Sequence, residues 1–121
     1  MAAPNGFHVR RVYDQASPDD GVRVLVDRLW PRGLAKDRAA VDEWAKEVTP
    51  SDELRRFLHK DASRYEEFAA RYREELAAPA AEEAAAHLRE EARDHTVTLL
   101  TAVKNPDTSH VPVLLEHLQT P

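Results

Sequence analysis

Thr96-Val97-Thr98-Leu99-Leu100-Thr101-Ala102-Val103 runs for eight residues without a charge, in a chain of which 32% is charged. Its length and its β-branched content suit a strand covered on both faces, the arrangement of parallel sheets with helical crossovers. The segments around it read as helices. Upstream, a stretch rich in Ala and Glu opens at Pro79. Downstream, a last helix follows Ser109, with Val113, Leu114 and Leu118 as its buried stripe. Farther back, Asp61 is the expected cap of a helix whose apolar positions Tyr65, Phe68, Ala69, Tyr72 and Leu76 fit a 3.6-residue period. Before that, Thr49 reads as an N-cap with Pro50 at the first helical position, opening a short helix to about Leu58.

The first half is strand-like. His8–Tyr13 and Val22–Asp27 are expected strands, separated by the turn Ser17-Pro18-Asp19-Asp20-Gly21. Val41–Val48 fits a helix or an extended segment equally well. Strands alternating with helices predict a small layered α/β fold: a short, mainly parallel sheet of about three to four strands covered by helices. A chain of 121 residues without repeats or low-complexity linkers is expected to form a single domain over residues 1–121.

Composition excludes several classes. With no cysteine, the chain has no disulfide, no thiolate nucleophile and no cysteine-ligated zinc. Residues 1–6 lack a signal pattern, and no apolar run reaches the roughly 18 residues of a membrane span, so the expectation is a cytoplasmic protein without a membrane partner. The net charge of −5 and the single short positive window from Arg28 to Arg38 make nucleic acid an unlikely partner but suffice for one anion. The three glycines form neither a phosphate-binding loop nor a dinucleotide turn, no His spacing matches a metal motif, and no cofactor is expected.

The second strand leads into Asp27-Arg28-Leu29-Trp30-Pro31-Arg32-Gly33. An acid, two arginines and a tryptophan at a strand end are costly to bury, and loops on a rigid scaffold are where binding groups gather. These residues, with Arg11-Val12-Tyr13-Asp14, Asp42-Glu43-Trp44 and Lys46, Pro50-Ser51, Leu54-Arg55, Tyr72 with Glu75-Leu76, and Thr98-Leu99-Leu100 leading to Lys104-Asn105, resemble short members of the domain-of-unknown-function 488 family. The resemblance spans almost the whole chain. It implies a cytosolic α/β protein and brings no established activity. Relatives usually carry Asn-His-Ala where this chain has Ser109-His110-Val111.

If the strands at 22–27 and 96–103 lie parallel, their C-terminal ends share the sheet edge where open α/β folds bind ligands. Two loops would meet there, and the second would open a helix whose free N–H groups favour an anion. Arg28, Trp30, Arg32, Trp44, Lys104 and Asn105 are then candidate ligand contacts, and Asp27 and His110 candidate proton-transfer groups. Each has a structural alternative: Asp27 and Arg28 as an ion pair fixing the loop, the tryptophans as core or pocket wall, His110 as a packing group. Two functions stay open. One is a small enzyme acting on an anionic or nucleotide-like substrate. The other is a non-catalytic module binding a small anionic ligand or a protein partner. Neither the substrate nor an oligomeric partner is legible.

Overall fold

Four parallel strands form one sheet in the order β1-β4-β2-β3: β1 Gly6–Arg11, β2 Val22–Leu25, β3 Glu43–Trp44 and β4 Thr96–Thr101. The computed structural model describes residues 6–120, so the reading of the first residues as signal-free lies outside it, as does the Lys36 side chain. Five α-helices lie among the described residues: α1 Lys36–Ala39, α2 Asp52–Lys60, α3 Tyr65–Leu76, α4 Pro79–Asp94 and α5 Val111–Gln119. The small α/β fold with a parallel sheet is as expected.

β4 is the central strand. Val9 and Val24 both align with Leu99, one on each side. Because side chains alternate along a strand, Val97 and Leu99 point to one face with Val24 and Val26, and Leu100 points to the other with Leu25. The first face carries the main core, where α2, α3, α4 and α5 bury Leu54, Phe68, Leu76, Leu88 and Leu114. The second face is not covered by long helices. Its smaller cluster of Val12, Leu25 and Leu100 lies under Trp30, Leu34, Val41 and Trp44, so a loop closes this side of the sheet.

Several element ends differ from expectation, each for a local reason. Ser51, not Thr49, caps α2: its Oγ accepts the Leu54 N–H at 3.2 Å, while the Thr49 hydroxyl donates back to the Lys46 carbonyl at 2.6 Å. Glu75 then accepts both the Ser51 N–H (2.8 Å) and its hydroxyl (2.6 Å), tying α2 to α3. Asp61 caps, but it caps the short 3-10 turn at 62–64 that runs on into α3, with Oδ1 accepting the Ser63 N–H at 3.1 Å. The first strand ends at Arg11, although the Val12 N–H still reaches the Thr101 carbonyl at 2.9 Å. Residues 41–48 resolve into a two-residue edge strand followed by a 3-10 turn.

Arg23 interrupts the apolar pattern of β2 yet is buried. Its guanidinium pairs with the buried Asp20 and donates to the carbonyls of Ala40 (2.9 Å) and Ala39 (3.2 Å), while Asp42 accepts its backbone N–H at 2.8 Å. Each polar atom meets a partner, which is the condition for burying charge. Gly21 precedes this strand with φ +63°; a Cβ there would lie 2.1 Å from the Thr96 carbonyl oxygen, so only glycine fits.

Candidate functional site

The C-terminal ends of β2 and β4 lie side by side, joined beyond the strands by the Val26 N–H to the Leu100 carbonyl at 3.0 Å. Over this edge opens a cleft of about 640 Å³, within the range of small-molecule sites. Three segments wall it: residues 27–32 after β2, residues 102–110 after β4, and the α2 side with Pro50, Arg55, Leu58 and His59. Six of the sequence-derived candidates line this space, namely Asp27, Arg28, Trp30, Arg32, Asn105 and His110. Trp44 and Lys104 do not. Lys104 is exposed, although its neighbours Val103 and Asn105 line the cleft. Trp44 lies behind Trp30, packed edge-on against it with ring centroids 5.4 Å apart, and Lys46 Nζ sits 4.1 Å from the Trp44 ring centroid as a cation–π contact.

The loop is held by its own polar groups. Trp44 Nε1–H donates to the Asp27 carbonyl at 2.7 Å, and Trp30 Nε1–H to the Leu34 carbonyl at 2.7 Å. The Tyr13 hydroxyl donates to the Arg32 carbonyl at 3.1 Å. Thus the loop from Asp27 to Leu34 has a fixed path. Pro31 is buried, whereas Leu29 and Arg32 stay exposed.

Asp27 does not pair with Arg28, contrary to the ion-pair expectation. Its Oδ1 accepts the Thr101 hydroxyl and its Oδ2 the Ala102 N–H, each at 2.7 Å, so the carboxylate caps the end of β4. Arg28 turns instead towards α2, with Nε 3.4 Å from Asp52 Oδ1. Arg55 approaches the same oxygen at 3.4 Å. Two guanidiniums from different segments therefore share one half-exposed carboxylate at the cleft wall.

His110 is buried at the start of α5, with Nε2 2.6 Å from the Val26 carbonyl. A carbonyl only accepts, so Nε2 carries the proton. Burial pushes the imidazole pKa below its ordinary value, outweighing the Val26 carbonyl and the Asp27 carboxylate, whose Oδ1 is 3.7 Å away. His110 is therefore held neutral. Tyr72 packs edge-on against it at 6.2 Å, and the Tyr65 hydroxyl donates to the neighbouring Ser109 carbonyl at 2.7 Å.

Ser109 occupies the position where an Asn was expected from the resemblance. Its hydroxyl donates to the Pro106 carbonyl at 2.7 Å and accepts the Val111 N–H at 3.1 Å, a turn that an Asn side chain could also make in part. This has a consequence for the anion expectation. The Val111 N–H is taken and Pro112 has none, so the first turn of α5 offers less to an anion than a bare helix start. Positive charge in the cleft comes from side chains: Arg28, Arg32 and Arg55, with His59 beside them. Arg55 and His59 reach the cleft from α2, and the sequence does not mark His59 because its place depends on how that helix lies against the loop.

A family model described as "Inactive DUF488-N3 subclade" matches residues 6–121. The uncharacterized protein YeaO of Escherichia coli is 44% identical over 111 residues, covering 92% of this chain and 95% of that protein. The uncharacterized protein Rv3073c of Mycobacterium tuberculosis and Mb3100c of Mycobacterium bovis are each 50% identical over 72 residues, 60% of this chain. The match spans 61% of the length of these mycobacterial relatives. No solved structure matches the chain significantly. Among the described residues, no helix is long and apolar enough to cross a membrane.

Proposed function

Because the chain belongs to the DUF488 family, in the subclade described as inactive, we propose that the cleft is a non-catalytic binding site for a small anionic ligand carrying a flat apolar body. One observation carries this reading. Both proton-transfer candidates offered by the sequence are engaged within the fold: Asp27 accepts the Ala102 N–H and the Thr101 hydroxyl, and His110 donates to the Val26 carbonyl. A general base needs a lone pair aimed at the substrate; both Asp27 oxygens already accept from the end of β4, and His110 is anchored through its Nε2–H. Three arginines remain to hold an anion, and Leu29, Trp30, Leu58 and Phe68 supply apolar wall. Arginine's planar fork suits carboxylate and phosphate. A cytoplasmic location and an absence of nucleic-acid binding go with this reading, given the net charge of −5 and the lack of cysteine.

The enzyme reading keeps one supporting observation, the 3.7 Å approach of His110 Nε2 to Asp27 Oδ1 beside the cleft. Calorimetric titration with inorganic phosphate and a nucleoside monophosphate separates the outcomes. Saturable binding of either probe is expected, weakened roughly tenfold by Arg32→Ala, since charge-assisted bonds are strong polar contacts. Arg32→Lys should recover only part of the affinity. Stability should change by roughly 0–1 kcal/mol in both variants, as for other exposed charges. Failure of both probes to bind, or unchanged affinity in Arg32→Ala, overturns the proposal; chemical turnover of the nucleotide favours the enzyme.

A further inference from the structure

We propose that Glu43, His87 and Glu91 form a binding site for one divalent metal ion of the zinc type. The three side chains come from two elements. Glu43 is on the edge strand β3, while His87 and Glu91 are one turn apart on α4, so they share a face of that helix. His87 Nε2 lies 3.0 Å from Glu43 Oε1 and 3.3 Å from Glu91 Oε1, and one ligand atom from each residue falls within 4.8 Å of the others. Two ligands bound ~2.1 Å from a tetrahedral ion sit roughly 3.4 Å apart, so these atoms are already near the spacing a bound ion requires.

The surroundings of Glu91 add to the spacing. Its Oε1 is withdrawn from solvent beside the Glu43 carboxyl, with His87 Nε2 3.3 Å away, so negative charge is crowded there. A cation between the three groups would match it. Imidazole with two carboxylates is a donor set for zinc, cobalt or manganese, and three protein ligands leave a further position for water. That position faces outward, because His87 is 59% exposed. No residue of this cluster lines the cleft over the C-terminal sheet edge, so the proposal does not rest on the anion-binding reading. The ion would pin the short edge strand β3 to α4, a fastening role in which no substrate is involved. Sequence spacing shows only the His87/Glu91 pair; Glu43 joins it through the fold.

The competing state has no metal and a proton held between the neighbouring carboxyls of Glu91 and Glu43. Titration of the full chain with Co²⁺, followed by visible absorption, and with Zn²⁺, followed by calorimetry, distinguishes the two. One saturable ion per chain is expected, with a higher melting temperature on binding. His87→Ala should weaken affinity roughly tenfold or more, as should Glu91→Gln. Since His87 is exposed, its alanine variant should keep the far-ultraviolet dichroism and the metal-free melting temperature of the parent. No saturable binding at sub-millimolar Co²⁺, or the same affinity in a folded His87→Ala, overturns the proposal.

Discussion

Asp27 and Thr101 are joined side chain to side chain across the ends of neighbouring parallel strands, the Thr101 hydroxyl donating to Asp27 Oδ1 at 2.7 Å. The other carboxylate oxygen accepts the Ala102 N–H at 2.7 Å, so one residue terminates the central strand. The acid that the sequence offers as a proton-transfer group is thereby a structural clasp at the rim of the cleft. Removing it should be expensive. Asp27→Ala leaves an N–H and a hydroxyl without their acceptor and should cost roughly 2–3 kcal/mol. Asp27→Asn should cost about 1 kcal/mol, because its oxygen still accepts while the Thr101 hydroxyl can rotate to accept from the amide. Urea unfolding midpoints for the two variants check the order; equal losses would mean the clasp is not what Asp27 contributes.

The central strand gives the bluntest stability test. Leu99 is fully buried with β1 on one side and β2 on the other. Leu99→Asp would place an unpaired carboxylate in the main core at a cost of several kcal/mol, on the order of the whole folding free energy. The variant should be insoluble or lack a cooperative transition in calorimetry. Cooperative unfolding near the parent's temperature would contradict the placement of β4.

How far the sequence reaches is visible in these same residues. The uncharged run at 96–103 announces a covered strand because eight such residues have few other places to go. The loop after β2 announces itself because Asp, Arg and Trp together sit poorly in generic turns. Caps are harder. Thr49 and Ser51 both suit an N-cap, and the choice is made by a Glu75 contact 24 residues along the chain. Arg23 is a charge inside an apolar strand, and its burial depends on Asp20 and the Ala39–Ala40 carbonyls that surround it, which strand patterning alone does not show. Lys104 belongs to the segment after β4 and Trp44 to β3, and neither lines the cleft, because side-chain placement there is set by tertiary contacts. Helical periodicity likewise says nothing of the loop that covers the second sheet face.

His110 predicts the sign of a pH dependence. Its folded-state pKa lies below the ordinary 6.5 because burial opposes the charged form. The unfolded chain therefore takes up the proton first as the pH falls. Stability from this group is fully present above pH 6.5 and is lost as the pH drops below it. His117, also depressed by burial and by Arg89, acts in the same direction. Glu91, whose carboxyl is pushed up to about 7 by burial and by Glu43, acts the other way in this range, so the difference is read: from pH 7.5 to 5 the parent should lose stability relative to His110→Gln, which keeps a donor for the Val26 carbonyl but does not titrate. An identical slope in that variant would assign the dependence to other groups.

On the binding reading, the loop from Asp27 to Arg32 and the segment from Ala102 to His110 together receive an anion. Residue-resolved amide shifts of the labelled chain, titrated with inorganic phosphate, test it most directly. The account predicts saturable shifts confined to residues 27–34, 102–110 and the α2 positions around Arg55 and His59, all reduced together in Arg28→Ala. Shifts that saturate on another surface, or none that saturate at all, would contradict it.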